Sequence, residues 1–171
     1  MKYQMNFTTS LDDVSRFTSA EDLRQFYKEH GCDGLEVMPL AYSTKEAPEA
    51  YQEADACPLI QPDMVTGVHC CCLQDWMGQN CEELIAHYRK DLDYASRMGA
   101  EYVVFHVVQV DGEESFTYQR KHTNREVIDA ATAFINELLD GQDYHFWFLM
   151  ENLWWPGLTF ENQEDTQALL T

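Results

Sequence analysis

Three polar side chains end three apolar runs of this 171-residue sequence. They are His69 in MVTGVHC, His106 in AEYVVFHVV and Glu151 in YHFWFLME. Imidazole nitrogens and carboxylate oxygens are ligands that zinc and manganese accept, so these side chains together could hold one divalent cation. Such an ion, or a substrate hydroxyl, would compensate the desolvation of a carboxylate placed after HFWFLM. We therefore predict His69, His106 and Glu151 as metal ligands.

The elements that must position these residues follow from the periodicity of the chain. Short apolar runs at 3–9, 33–39, 64–70, 100–108 and 144–151 alternate with amphipathic helical patterns. Each return crossover needs a helix on the face of the sheet, so this alternation predicts an α/β fold with parallel strands. The candidate ligands then lie at the carboxyl ends of strands three, four and five, where parallel α/β proteins place their active sites.

Alternation within each strand predicts which side chains share a face. Val65 and Gly67 would lie on the face of His69, and the same rule groups Tyr102 with His106 and Trp147 with Glu151. A simpler interpretation exists for each residue alone. A histidine at a strand end is more often a structural hydrogen-bonding residue than a ligand, and an acid there can simply be solvated.

The helical segments carry start and stop signals. Capping boxes, with a glutamate three positions after the capping residue, are predicted at three places: Thr18 with Glu21, Asn80 with Glu83, and Thr123 with Glu126. Each of these patterns ends at a glycine, and a further helix is predicted after Asn162. No linker or low-complexity tract interrupts the chain, so residues 1–171 are predicted to form a single domain.

Five such units fit two architectures. One is a flavodoxin-like doubly wound sheet with strand order 2-1-3-4-5, and the other is part of a (β/α)8 barrel, in which strands follow one another in sequence. Periodicity does not choose between them. At the same edge of the sheet we predict Glu36, Trp154 and Trp155 as substrate-binding residues, the tryptophans as an apolar wall for a sugar ring. The alternatives are a solvated acid and ordinary packing.

Composition restricts the partners. Thirty acidic residues against eleven basic ones leave a net charge of -19, which repels a nucleic acid backbone. The N-terminal stretch MKYQMNFTTS lacks the apolar region of a signal peptide, and no run of about 18 apolar residues occurs. We expect a cytoplasmic protein that binds neither nucleic acid nor membranes, with its six cysteines reduced.

Four segments together resemble a known superfamily: GCDGLEV, GVHC, GAEYVVFH and MENLWWPG. They resemble the xylose isomerase-like TIM barrels, which include sugar isomerases and epimerases and the endonuclease IV type of DNA repair enzyme. The resemblance covers the whole chain but only the first five of the family's eight βα units. It implies a partial (β/α)8 TIM barrel of five parallel strands in sequential order with flanking helices. It also implies that Glu151 is a metal ligand.

The resemblance implies a reaction as well. In the full-length parent, a divalent metal (Mn, Zn, Co or Mg) would assist proton transfer next to a carbonyl of a small sugar or sugar phosphate, with Glu151 as ligand and base. Residues matching His69 and His106 are metal ligands in the endonuclease branch and substrate-pocket residues in many epimerases.

The remaining ligands and the second catalytic carboxylate come from strands six to eight of the family. We therefore expect a truncated chain that holds metal weakly, is inactive alone and associates with itself through open barrel edges. Two alternatives remain open, a metal-dependent phosphoesterase of the endonuclease IV type and a non-catalytic α/β binding module.

Overall fold

A computed structural model describes residues 3–38, 57–70, 81–106, 114, 117, 119–151 and 160–170. Within these ranges the strands form one parallel five-stranded sheet in the order β1-β2-β3-β4-β5. The strands are β1 Asn6–Ser10, β2 Gly34–Met38, β3 Val65–His69, β4 Tyr102–His106 and β5 Trp147–Glu151. The predicted sequential order is confirmed, and the flavodoxin-like order is excluded. That these five strands are part of an eight-stranded barrel stays a prediction.

Among the described residues, α-helices follow β1, β3, β4 and β5. They are α1 Leu11–Val14, α2 Ala20–Glu29, α3 Cys81–Met98, α4 Asn124–Leu139 and α5 Gln163–Leu169. A short 3-10 helix, Pro62–Met64, precedes β3. In the described part of the chain, no helix is both long enough and apolar enough to cross a membrane.

The helix caps test the start signals. Thr123 and Glu126 form the predicted capping box of α4, with both of its hydrogen bonds present. The box predicted at Thr18 is displaced by one residue, because the hydroxyl of Ser19 accepts from the backbone of Asp22 and makes Ser19 the cap of α2. Thr18 instead donates its backbone and hydroxyl hydrogens to the Asp22 carboxylate. The box predicted at residue 80 lies outside the described residues.

One face of the sheet, here called the core face, packs against the helices. Five of its members are 0% exposed: Leu35, Val37, Val68, Val103 and Phe105. The ring of Tyr88, from α3, lies 5.1 Å from that of Phe105 and 5.3 Å from that of Phe134, from α4. Because apolar burial is the main favourable contribution to folding, this face supplies most of the stability.

The pairing between β2 and β3 contains a shift of one residue. Leu35 lies opposite Val65. The next residue, Glu36, lies opposite Gly67, so Thr66 is the extra residue of a bulge. Val65 therefore joins the core, while Gly67 keeps the opposite face. Strict alternation had predicted both on one face, and that expectation is wrong for Val65 because alternation breaks at a bulge.

The other face, here called the histidine face, carries Glu36, His69, Tyr102, His106 and Glu151. At its β5 side this face is open to solvent. Trp147 is 77% exposed and Leu149 is 43% exposed.

Candidate metal centre

The three predicted ligands converge on the histidine face. Nε2 of His69 lies 2.9 Å from Nε2 of His106, which in turn lies 2.6 Å from Oε2 of Glu151. The same Glu151 oxygen is 3.6 Å from Nε2 of His69. All three candidate ligand atoms lie within 4.8 Å of one another. The predicted convergence of these side chains is confirmed, whereas their role as metal ligands stays a prediction.

Strand register explains the convergence. His106 and Glu151 are direct partners at the carboxyl ends of β4 and β5. His69 pairs with Val104, two residues before His106, so its ring has to reach diagonally across the sheet. The two imidazole rings meet edge to face, with centroids 4.8 Å apart and planes at 88°. Both Nε2 atoms consequently point to one place.

A polar network supports His69 from the β2 side. Oε1 of Glu36 lies 3.1 Å from Nδ1 of His69 and accepts a 3.3 Å hydrogen bond from the hydroxyl of Thr8. The hydroxyl of Tyr102 donates to the other Glu36 oxygen over 2.8 Å and accepts from the Asn6 amide over 2.7 Å. Polar side chains from all five strands thus form one connected network.

The network perturbs two pKa values in opposite directions. Burial alone would raise the pKa of the Glu36 carboxyl, but hydrogen bonds from His69 and Tyr102 outweigh it and hold that pKa below its ordinary value. Burial, together with the hydrogen bond to Glu36, raises the pKa of the Tyr102 hydroxyl to about 12. At neutral pH Glu36 is therefore an ionised acceptor and Tyr102 a neutral donor.

The donor set suits a divalent cation. The side chains of His69 and His106 are 13% and 15% exposed and that of Glu151 is 38% exposed, which leaves the cluster open on one side. Catalytic zinc sites commonly use three such ligands and keep the fourth position for water or substrate. With bonds of about 2.1 Å, tetrahedral ligand atoms stand about 3.4 Å apart. An ion would therefore widen the 2.9 and 2.6 Å contacts by about 0.5 and 0.8 Å and leave the 3.6 Å contact nearly unchanged. Rotamer adjustments supply movements of that size.

The structure places the other predicted residues differently. Glu36 contacts His69 and Tyr102, and its predicted contact with substrate stays a prediction. Trp154 and Trp155 lie outside the described residues. Tyr102 was not singled out as a site residue by sequence reasoning, although it shares a strand face with His106. Only the register across three strands shows that its hydroxyl reaches β2.

A separate basic pocket lies at the start of α4. Its volume is about 540 Å³, and its lining is Arg120, Lys121, His122, Thr123, Asn124 and Arg125. These six positions hold three of the chain's eleven basic residues. The buried Glu114 accepts hydrogen bonds from the backbone and Nδ1 of His122 over 2.8 and 3.0 Å and so organises the segment. A helix that follows a parallel strand begins at the carboxyl edge of the sheet, which is also the edge of the histidine cluster.

Comparisons with known proteins show a likeness in fold. No protein-family model matches the chain, and no curated protein matches it in sequence. Among solved structures, the crystal structure of a D-tagatose 3-epimerase-like protein matches with a TM-score of 0.54 at 16% sequence identity. The match covers 98% of this chain and 60% of that one, so the chain spans about 60% of the length of its structural neighbour. At this identity the likeness establishes the fold alone.

Proposed function

We propose that this chain carries part of the divalent-metal site of a sugar isomerase or epimerase. The observation that carries the proposal is the convergence of His69, His106 and Glu151 within 4.8 Å at the carboxyl edge of three adjacent parallel strands. The fold shared with a D-tagatose 3-epimerase-like protein supports a sugar as the substrate class. The reaction would be proton transfer at the carbon next to a carbonyl.

Each residue has a separate task in this proposal. A bound cation would polarise the oxygens of the substrate. His69 and His106 would contribute their Nε2 atoms and fix the position of the site. Glu151 would contribute Oε2, and its second oxygen would accept the proton from the substrate. Imidazole ligands favour transition metals such as zinc or cobalt over magnesium, which prefers oxygen ligands, and the carboxylate of Glu151 also suits manganese.

The substrate is proposed to be a small sugar or a sugar phosphate. The concentration of basic residues at 120–125, at the same edge of the sheet, supports the phosphorylated form, because guanidinium and ammonium groups bind phosphate oxygens. Assays should therefore compare ketoses directly with their phosphates.

The chain by itself is proposed to lack turnover. Proton transfer next to a carbonyl needs an acid or base on each side of the carbon, and misplacing such groups by an ångström can cost about a hundredfold in rate. Both oxygens of Glu36 already accept hydrogen bonds from protein groups. Among the described residues of the cluster, Glu151 is then the one carboxylate placed to act on substrate.

Calorimetry with zinc, manganese and cobalt tests the metal site. We expect binding by the unmodified chain, and a loss of at least tenfold in affinity in Glu151→Gln. Glu101→Gln is the matched control, because Glu101 is an exposed acid just before β4, at the opposite edge of the sheet. Equal affinity in the chain and in Glu151→Gln would refute the proposed ligand.

Turnover is tested by solvent deuterium incorporation into a panel of ketoses and ketose phosphates with each metal. We expect no exchange above the metal-only background. Sustained exchange that disappears in Glu151→Gln would overturn the proposed inactivity and support the proposed chemistry. Exchange that survives in Glu151→Gln would exclude Glu151 as the base.

A second candidate is phosphoester cleavage, favoured by one observation. Two histidines and a glutamate converge. In the endonuclease branch of the superfamily that the sequence resembles, the residues matching both histidines are metal ligands. The net charge of -19 opposes binding to nucleic acid, so a small phosphodiester such as bis(p-nitrophenyl) phosphate is the appropriate probe. Metal-dependent hydrolysis that requires His69 and His106 would select this function over the isomerase.

A further inference from the structure

The ring of Tyr102 lies across β3 in a space that only glycine provides. A methyl group added at Gly67 would lie 2.7 Å from the Tyr102 hydroxyl oxygen and would overlap the ring itself. Tyr102 and Gly67 are direct partners in the sheet, and Gly67 is in turn the partner of Glu36. The side chain of Tyr102 therefore passes over the middle strand and reaches the strand beyond it.

The Tyr102 hydroxyl links β4 to both β1 and β2. It accepts a hydrogen bond from the Asn6 amide on β1 over 2.7 Å and donates one to Oε2 of Glu36 on β2 over 2.8 Å. The other oxygen of Glu36 is then directed at Nδ1 of His69, 3.1 Å away. Each contact joins residues far apart in sequence, so only the assembled sheet can form the chain of bonds.

We infer that Tyr102 and Glu36 are positioning residues that fix the ring of His69 for metal binding, and that Gly67 is required because it makes room for Tyr102. The inference rests on the proposed function, since it assigns the residues that prepare one ligand of the proposed metal site. It goes further in giving a task to three residues that are not among the proposed ligands of the cation.

The chemistry of the contact determines the tautomer. A carboxylate has only acceptor atoms, so the hydrogen between Glu36 and His69 belongs to Nδ1. The lone pair of the neutral imidazole then lies on Nε2, the atom that faces His106 and Glu151. Removing such a partner of a metal-binding histidine typically costs about 10- to 100-fold in metal affinity.

Tyr102→Phe is the decisive variant, because it keeps the ring over Gly67 and removes only the hydroxyl. We expect about tenfold weaker binding of cobalt or zinc by calorimetry. Tyr144→Phe is its matched control, since the Tyr144 hydroxyl donates to Asp93 over the same 2.8 Å but away from the cluster. The control should bind metal within about twofold of the unmodified chain.

A second readout needs no metal. In the metal-free protein, nitrogen-15 NMR of the histidine rings distinguishes a protonated from an unprotonated nitrogen. We expect His69 to carry its proton on Nδ1 in the unmodified chain and in Tyr144→Phe. In Tyr102→Phe and in Glu36→Gln this preference should be reduced. Gly67→Ala should behave like Tyr102→Phe, because the added methyl group displaces the ring.

The outcomes separate this inference from the proposed function. If the unmodified chain binds no metal, the metal site is refuted, and the NMR comparison alone decides whether Tyr102 and Glu36 fix the ring. If the chain binds metal but Tyr102→Phe matches Tyr144→Phe in both affinity and tautomer, the inference is overturned and the site remains. If Gly67→Ala does not fold, Tyr102→Phe still decides, because it adds no atoms.

Discussion

The two faces of the sheet are built from the same five strands but differ in polarity and in burial. On the core face, aliphatic and aromatic side chains such as those of Val103 and Phe105 are fully buried against the helices. On the histidine face, the neighbouring residues of those strands form a partly buried polar network. The same face carries Trp147 of β5, which is exposed to solvent. Because successive strand residues point to opposite faces, neighbouring residues serve different purposes, one for stability and the next for the proposed chemistry. Substitutions on the two faces should therefore have different consequences.

Phe105→Ala should produce the largest effect, because it removes a core-face ring that is 0% exposed and contacts Tyr88 and Phe148. We expect a loss of about 3–5 kcal/mol in the free energy of unfolding, measured by chemical denaturation. Trp147→Ala is the control from the other face and should change that free energy by about 0.5 kcal/mol or less. Similar losses in both variants would contradict the division between the faces.

Self-association is the next largest expected effect and tests the open side of β5. Trp147 is 77% exposed and lies in β5, which has a described partner strand on one side only. Burying a large apolar side chain contributes about 1.5–3 kcal/mol. We expect concentration-dependent oligomers in sedimentation velocity, and at least about tenfold weaker association in Trp147→Lys.

Gln163→Lys makes the same charge change at an exposed, uncharged residue of α5, outside the sheet, and controls for net charge. Equal weakening in both variants would show that charge, and not the open face, governs association. A chain that stays monomeric at all accessible concentrations would contradict the predicted self-association.

Loss of folding stability at acid pH should come partly from the helices and not from the histidine face alone. His87 of α3 is 3% exposed, and its burial, with a smaller contribution from Lys90, lowers the pKa of its imidazole from 6.5 to about 4. The folded state favours the neutral ring, so this stabilisation is complete above pH 6.5 and is lost as the pH falls towards 4.

Melting temperatures measured from pH 7 to pH 4 should therefore fall less steeply in His87→Leu than in the unmodified chain. The slopes are compared and not the absolute values, because the substitution also changes packing. Parallel slopes would mean that carboxylates elsewhere account for the whole acid sensitivity.

The smallest effect on stability is expected at the cluster itself. Glu151→Gln should change the free energy of unfolding of the metal-free protein by about 1 kcal/mol or less, because the side chain is 38% exposed and its contact with His106 is screened by water. The same variant should lose metal binding. A large destabilisation without metal would mean that Glu151 is a structural residue, and the contrast between the two faces would be lost.

Local signals were sufficient for part of the fold and of the site. The capping box at Thr123 could be predicted because cap and partner are three residues apart, within reach of one side chain. His69, His106 and Glu151 could be selected because parallel strands bring their carboxyl ends to one edge. At Thr18 the same reasoning was wrong, since two neighbouring hydroxyl residues compete for the cap and Ser19 occupies it.

The sequence by itself determined the α/β class, the strand segments and the three side chains that converge at the end of β3, β4 and β5, because each depends on periods of two or about four residues. These periods could not decide the order of the strands in the sheet, since both architectures repeat the same βα unit. The network of Tyr102, Glu36 and His69 was decided only in the tertiary structure. Its contacts depend on a bulge at Thr66 and on the register of three strands, which are relations between segments 30 or more residues apart that no local pattern specifies.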